Sequence, residues 1–130
     1  MKIIICLDDN NGMLFNNRRQ SRDSIVLEDI FKDLAGAPLN IFPFSQKLFA
    51  SFNDKTTVCS SLSENNVYFI EDIDIKPYEA QIKEIVVYKW NRVYPADFYC
   101  EIDFSAFNVA DQAELQGSSH EKITKIIYSR

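Results

Sequence analysis

Residues 18 to 23 concentrate charged and polar side chains within an otherwise acidic chain. The segment consists of Arg18, Arg19, Gln20, Ser21, Arg22 and Asp23. A guanidinium group presents planar, forked donors that match a carboxylate or a phosphate. We therefore expect a binding site for a small anionic ligand or a protein partner, formed by Arg18, Arg19, Gln20 and Arg22. The alternative is a solvated loop whose arginines pair with Asp8, Asp9 or Asp23.

A second candidate follows the segment "EIVVYKW" and contains the only tryptophan of the chain. It consists of Trp90, Asn91 and Arg92, with Tyr94 close behind. Tryptophan, tyrosine and arginine supply much of the binding energy at protein interfaces. Trp90, Asn91 and Arg92 are therefore assigned to the predicted binding surface. The alternative is an aromatic cap over the edge of a sheet, supported by Arg92.

The third candidate is the stretch Ser118, Ser119, His120 and Glu121, which contains the only histidine. Adjacent residues of a strand point to opposite faces, and a catalytic triad is assembled from distant positions. These neighbours therefore do not form a triad among themselves. His120 could still act as a general base, and we include Ser119 and His120 in the predicted binding set.

Several kinds of site are excluded by what the sequence lacks. A single histidine rules out a zinc site that needs two histidines, and the three separated cysteines do not have the spacing of zinc ligands. An odd number of widely spaced cysteines predicts reduced thiols. Three scattered glycines cannot build a glycine-rich phosphate loop. The acidic residues Asp8, Asp9, Glu71, Asp72 and Asp74 fit strand-end turns better than a divalent-cation site. We therefore predict no metal and no cofactor.

Composition narrows the class of partner. The chain has 130 residues, 46% of them hydrophobic, with 14 basic against 19 acidic residues and a net charge of −5. This balance disfavours a broad nucleic-acid or anionic-membrane surface. No apolar run is long enough for a membrane helix, and the first apolar run is too short for a signal peptide. The sequence predicts a soluble, cytoplasmic protein and does not specify an oligomeric state.

Hydrophobic patterning predicts a single α/β domain over residues 1–130, a mostly parallel sheet flanked by helices with an antiparallel C-terminal hairpin. Leu27, Ile30, Phe31 and Leu34 share one face of a helix over 24–35, ended by Gly36 and Pro38. Strands are predicted at 2–7, 38–42, 56–60, 66–71, 84–90, 98–109 (with a bend) and 121–129. Residues 13–23 are predicted as an ordered loop, 46–52 as a short helix and 77–82 as a helical turn.

Several stretches resemble the dihydrofolate reductases in collinear order. "KIIICLDDNNGMLFNN" is similar to their first strand and flexible loop, "EDIFKDLAGAPLNI" to their first helix and second strand, and "LQGSSHEKITKIIYSR" to their last strand. The resemblance implies a shortened dihydrofolate reductase-like fold. It also implies that His120 lies close to the segment 18–23, because the family's last loop packs near its first loop.

The family's functional motifs are replaced at the matching positions. The carboxylate that holds the pteridine corresponds to Leu27, with Glu28 one residue away, and the Leu-Pro-Trp of the first loop corresponds to residues 18–20. The phosphate-binding Gly-Arg-x-Thr corresponds to residues 43–46. The paired glycines beside the pyrophosphate correspond to Glu71 and Asp72, whose charges would repel phosphates. The resemblance therefore implies the fold without the reaction.

The sequence thus predicts a non-catalytic binding or regulatory protein on a dihydrofolate reductase-like scaffold. One alternative is a diverged NADPH-dependent reductase of a pterin-like substrate, with Glu28 or Asp23 as the acid. Another is a small hydrolase or nuclease that uses His120. The chain also resembles short bacterial proteins that sometimes carry a ribonuclease Z label, but one histidine cannot supply that zinc chemistry.

Overall fold

A computed structural model describes all 130 residues, which form two sheets and one α-helix. The elements are β1 (Lys2–Leu7), β2 (Gly12–Phe15), β3 (Arg18–Arg19), α1 (Ser24–Leu34), β4 (Leu39–Ile41), β5 (Thr56–Val58), β6 (Val67–Phe69), β7 (Glu84–Lys89), β8 (Phe98–Tyr99), β9 (Asn108–Leu115) and β10 (Ile123–Ser129). Short 3-10 helices occupy Pro43–Ser45, Ala50–Lys55, Lys76–Gln81 and Phe104–Ala106. None of the helices has the length and apolar character needed to span a bilayer.

The larger sheet has seven strands in the order β5-β4-β6-β1-β7-β10-β9. Its first five strands are parallel, whereas β10 runs antiparallel to both β7 and β9. The smaller sheet has the order β3-β2-β8. A mostly parallel sheet that ends in an antiparallel hairpin confirms the predicted fold class.

Strand β1 is the centre of the larger sheet and is covered on both faces. Ile3 and Ile5 belong to one buried cluster, and Ile4 belongs to a second cluster that includes the inner face of α1. Side chains alternate between the two faces of a strand, so a continuous apolar run fits a strand that is buried on both. Burial of each isoleucine contributes about 1.5–3 kcal/mol.

Helix α1 begins and ends close to the predicted residues. Asp23 is its N-cap, and the carboxylate accepts from the backbone N–H of Ile25 at 2.9 Å. At the other end the chain turns left-handed at Ala35 (φ 49°) and continues through Gly36 (φ 93°). The sequence predicted Gly36 alone in that conformation, so the left-handed turn begins one residue earlier than expected.

A buried ionic group ties α1 to the sheet. Lys125 of β10 contacts the carboxylates of Asp29, at 2.7 Å, and Asp33. The hydroxyl of Tyr88 donates to Asp29 at 2.7 Å. Helix α1 is therefore held against the sheet by charge as well as by apolar packing.

The prediction of a loop over residues 13–23 was wrong in its first half. Residues 12–19 form the hairpin of β2 and β3, with Asn16 (φ 51°) and Asn17 (φ 58°) at its tip. Asparagine tolerates the left-handed conformation that two-residue hairpin turns require. The Asn-Asn pair was the available signal for this hairpin.

Two further predictions need correction. Residues 46–52 are not a helix, because the chain forms separate 3-10 turns on either side of residues 46–49. Leu48 and Phe49 are nevertheless buried, and Phe52 stacks on Phe31 at 4.6 Å. The predicted bent strand over 98–109 consists of the short β8, a 3-10 turn and the beginning of β9, which runs on to Leu115.

Candidate functional site

His120 lies at the centre of a buried polar cluster formed by the two loops that the resemblance brings together. Its Nδ1 atom is 2.9 Å from a carboxylate oxygen of Asp23, and its Nε2 atom is 2.9 Å from the hydroxyl of Ser21. The hydroxyl of Tyr94 lies 3.2 Å from the same Nε2 atom. The ring of Trp90 stacks on the imidazole, with centroids 4.6 Å apart. The expected proximity of His120 to the segment 18–23 is confirmed.

Asp23 holds this cluster together because its carboxylate is fully buried and saturated with donors. Oδ1 accepts from the backbone N–H groups of Ile25 and Ser118 and from the Ser118 hydroxyl. Oδ2 accepts from the backbone N–H groups of Ser119 and His120, the Ser119 hydroxyl and the His120 ring. Burial on its own would raise the pKa of Asp23, but the hydrogen bonds lower the pKa by more than burial raises it. The pKa of Asp23 therefore lies well below the usual range of an aspartate. The carboxylate is therefore ionised.

The ionised carboxylate fixes the tautomer of His120. An acceptor beside Nδ1 requires that nitrogen to carry the proton, so Nε2 of the neutral ring is an acceptor. The hydroxyl of Ser21 can then donate to Nε2. An acid, an imidazole and a hydroxyl thus lie in hydrogen-bonded sequence, which is the arrangement that activates a serine for nucleophilic attack.

Gly117 allows the last loop to approach Asp23 this closely. A Cβ atom at this position would lie 2.4 Å from Asp23 Oδ2 and 2.7 Å from the carbonyl oxygen of His120. Both distances are far below van der Waals contact, so a larger residue would push the loop away from the carboxylate. Glycine at 117 is therefore part of what positions His120.

Arg19 and Glu71 form a second buried pair beside this cluster. Arg19 donates from Nη2 to Glu71 Oε1 at 2.6 Å and from Nε to Oε2, so the pair is bidentate. The hydroxyl of Ser45 donates to the same carboxylate at 2.6 Å, and the Arg19 guanidinium lies over the ring of Phe44. The interpretation that the arginines pair with Asp8, Asp9 or Asp23 is therefore wrong, because Arg19 pairs with Glu71 instead.

The space between this pair and α1 is nearly closed. Arg19, Glu71, Leu27, Ser21 and Trp90 are among the residues that surround it. Its volume is about 20 Å³, which is room for a single water molecule. Glu28 is exposed and does not line this space.

A wider hollow opens on the outer side of the first loop. Its lining residues are Phe15, Asn16, Arg18, Arg19, Gln20, Tyr94 and Pro95, and its volume is about 480 Å³. Arg18 is exposed and makes no ion pair, and Phe15 is 42% exposed. Gln20 donates its amide to Asp8 and to the Pro95 carbonyl oxygen, while its own buried carbonyl oxygen has no partner. This hollow therefore combines positive charge with aromatic surface.

The other predicted site residues separate into buried and exposed groups. Trp90 is 4% exposed and packs on His120, so its side chain supports the imidazole and does not present a contact surface. Asn91 takes a left-handed conformation (φ 59°) and donates to Lys122 and Thr124 on β10 and its preceding loop. Arg92 and Arg22 are exposed and make no ion pair.

The predicted binding set is therefore not one continuous surface. Ser119 is exposed as a residue, but its hydroxyl is bonded to the Arg22 carbonyl oxygen and to Asp23. The structure brings Ser119 and His120 to the segment 18–23, whereas Asn91 lies against β10. Sequence reasoning missed Ser21, Asp23 and Tyr94 as the partners of His120.

The acidic residues near the strand ends have local structural contacts. Asp8 accepts from the backbone N–H groups of Asn10, Gly12 and Tyr94, which closes the turn after β1. No group of three or more residues in the chain is arranged to hold a metal ion. The contacts of Asp8 agree with the turn interpretation, as does Asp74, which accepts from the backbone N–H of Lys76. Glu71 does not, because it is paired with Arg19.

Comparison with known proteins gives one kind of relationship, which is structural. No protein-family model matches the chain, and no curated protein matches it significantly. A solved structure that resembles it is dihydrofolate reductase from Enterococcus faecalis complexed with NADP(H) and RAB-propyl, with a TM-score of 0.70 at 11% sequence identity. The match covers 100% of this chain and 96% of that chain. The fold is thus dihydrofolate reductase-like, while nothing in these comparisons supports the ribonuclease Z resemblance.

The residues present do not fit the nicotinamide cofactor of that fold. Glu71 stands where the resemblance places the family's paired glycines, and its carboxylate is paired with Arg19. Pro43 lacks a backbone N–H at the position of the phosphate-binding motif. The space beside this pair, of about 20 Å³, is smaller than a nicotinamide or a pterin ring.

Proposed function

We propose that this chain is a binding protein on a dihydrofolate reductase-like scaffold and not a nicotinamide-dependent reductase. The observation that carries the proposal is the largely buried, bidentate Arg19–Glu71 pair, because the resemblance places the cofactor's pyrophosphate beside Glu71. Breaking a buried ion pair costs about 3–5 kcal/mol. A cofactor that needed this space would have to overcome that cost as well as meet a negative charge.

The two acids considered for a reductase do not support that alternative. Glu28 is exposed and lies outside the closed space beside α1. Asp23 is saturated with donors from the chain itself, so it has no remaining capacity for a pterin ring. Leu27 occupies the position at which the family's carboxylate stands and offers no polar group.

The outer hollow supports a small organic anion as the ligand. Arg18 is free of acidic partners, and Phe15 and Tyr94 give the hollow aromatic walls. The volume of about 480 Å³ lies within the range of small-molecule sites. An aryl phosphate or aryl carboxylate would place its ring against the aromatic residues and its charge on Arg18. A protein partner would have to present the same chemistry through an acidic side chain beside an aromatic one.

Phenyl phosphate is a suitable probe for this proposal. Titration into the isotopically labelled protein, followed by NMR, should shift the signals of Phe15 and Tyr94 in a saturable manner. Arg18→Ala should weaken binding about ten-fold, the effect of losing one charge-assisted hydrogen bond at an exposed site. Lys47→Ala is the matched control, because Lys47 is an exposed cation outside the hollow, and it should leave the affinity unchanged.

Two outcomes would contradict the proposal. Absence of saturable shifts up to millimolar phenyl phosphate would exclude small aryl anions at the hollow. Equal weakening by Arg18→Ala and Lys47→Ala would show that the protein attracts anions through its overall charge and has no specific site.

A further inference from the structure

We propose that Ser21 is an activated nucleophile for acyl transfer, with His120 as its general base and Asp23 as the residue that positions His120. This inference adds a reaction to the proposed ligand binding. It rests on the proposed function only in taking the substrate to carry negative charge. The order in the chain is serine, aspartate, histidine. The three residues come from the segment after β3, the N-cap of α1 and the loop between β9 and β10.

The contacts between these residues follow the geometry that nucleophilic catalysis requires. The Ser21 hydroxyl is 2.9 Å from His120 Nε2, and His120 Nδ1 is 2.9 Å from Asp23. A serine is a weak nucleophile until a base within hydrogen-bond reach can take its proton, and that base must in turn be held by a third group. All three conditions are met within one cluster.

The base is held rigidly before any substrate arrives. Asp23 is fixed by backbone N–H groups from both loops, and Trp90 covers one face of the imidazole. His120 also donates its own backbone N–H to Asp23 at 3.1 Å. Preorganisation of this kind keeps the base aligned without further ordering during the reaction.

The surroundings of Ser21 provide donors for a developing negative charge. The backbone N–H groups of Ser21 and Arg22 make no hydrogen bond within the protein. Ser21 is half-buried and borders the small space that Arg22 and Arg19 also line. Free backbone donors beside a nucleophile favour an oxyanion at the carbonyl group of an ester. The exposed Arg22 beside Ser21 favours an ester of a small acid that carries negative charge.

Tyr94 connects this nucleophile to the outer hollow. Its hydroxyl lies 3.2 Å from His120 Nε2, and its side chain lines the hollow beside Arg18. A ligand bound there would lie against the same tyrosine that contacts the base.

The reaction needs only the ester and water. Ser21 Oγ attacks the carbonyl carbon, and its proton passes to His120 Nε2, whose imidazolium is stabilised by Asp23. The tetrahedral adduct collapses, the alcohol leaves with the proton from Nε2, and an acyl-serine remains. Water then attacks the acyl carbon, gives a proton to His120, and the acid is released as Ser21 regains its hydrogen.

A small alkyl fluorophosphonate tests the nucleophile directly. Attack by Ser21 forms an oxygen–phosphorus bond and releases fluoride, so mass spectrometry of the digested protein should place the phosphonyl group on Ser21. Labelling should disappear in Ser21→Ala and slow by at least about 100-fold in His120→Gln, the range expected for removal of a general base. Ser24→Ala is the matched control, because the Ser24 hydroxyl bonds Ser118 and no histidine, and it should label at the wild-type rate.

The proposal is overturned if Ser21 is not modified, or if it is modified no faster than serines of the urea-unfolded chain. Hydrolysis of mono-4-nitrophenyl succinate, an ester whose acid carries negative charge, provides a second readout that does not depend on the folding of His120→Gln. Ser21→Ala removes only a hydroxyl and should abolish turnover above the uncatalysed rate, while an unchanged rate would refute the role of Ser21. Phenyl phosphate binding should survive Ser21→Ala, so failure here is distinguishable from failure of the binding proposal.

Discussion

Replacing Asp23 by asparagine tests the group on which the whole cluster depends. The carboxylate receives three donors on Oδ1 and four on Oδ2, and each oxygen accepts at least two backbone N–H groups. The asparagine side chain keeps one oxygen acceptor, and its NH₂ group replaces the other carboxylate oxygen. That NH₂ group then faces the backbone N–H groups that the lost oxygen had accepted. Two backbone N–H groups therefore lose their acceptor whichever way the amide is oriented.

The expected loss of stability in Asp23→Asn follows from these contacts. A hydrogen bond to a charged group contributes about 1.5–3 kcal/mol, and breaking a buried ionic contact costs about 3–5 kcal/mol. We expect the free energy of unfolding to fall by about 3–5 kcal/mol, which for a chain of this size lowers the melting temperature by roughly 10 °C or more. Urea unfolding followed by circular dichroism measures the difference.

The pH dependence supplies an independent check on the same variant. The folded-state pKa of Asp23 is lowered, so its stabilising contribution is complete above the unfolded value of about 4 and is lost as the pH falls towards the folded value. The difference between wild type and Asp23→Asn should therefore shrink below about pH 4.

Asp9→Asn is the control, because the Asp9 carboxylate is exposed and unbonded, and it should change the unfolding free energy by less than about 0.5 kcal/mol. An Asp23→Asn variant within about 1 kcal/mol of wild type would refute the argument that Asp23 organises the site.

Three further outcomes follow from other parts of the structure. Lys125→Met should lower the unfolding free energy by about 3 kcal/mol in urea titrations at neutral pH, because it leaves the half-buried Asp29 without its cation. Burial lowers the pKa of Lys125, but its two carboxylate partners raise it above its usual value. The contribution of Lys125 is therefore complete below about pH 10 and is lost as the pH rises further. An unchanged midpoint would contradict this. Burial raises the pKa of Cys100 to about 11, so this thiol should react with Ellman's reagent at neutral pH far more slowly in the native protein than in urea, and equal rates would contradict its burial. Gly117→Ala should destabilise the protein by about 1–3 kcal/mol in the same urea titration, since its Cβ would lie 2.4 Å from Asp23, and a neutral effect would mean that the loop moves freely.

The parts of the fold that could be predicted are those with a repeating apolar pattern. Strands β1 and β7 are buried on both faces and consist of nearly continuous apolar runs. Helix α1 has four buried residues at helical spacing, Val26, Leu27, Ile30 and Leu34. Strand β9 has no such pattern, because every residue from 108 to 114 is exposed. An edge strand without a buried face leaves no alternation in the sequence, which is why its course beyond residue 109 was missed.

The candidate site could be located only in outline. The resemblance placed His120 near the segment 18–23, and this proximity is correct. The pairing of His120 with Asp23 joins residues 97 positions apart and depends on the approach of two loops, which no local pattern encodes. Trp90 was assigned to a binding surface from its residue type, which does not determine whether the side chain is buried. Its stacking on His120 could not be derived from the sequence.

The measurement that most directly tests the central claim is a thermal-shift titration with NADPH, NADP⁺ and folate, up to millimolar concentration. A ligand that binds the native state raises the melting temperature in a saturable way. The closed space between α1 and the Arg19–Glu71 pair predicts no saturable shift with any of the three. A saturable shift with NADPH would contradict the account and make the chain a nicotinamide-binding protein.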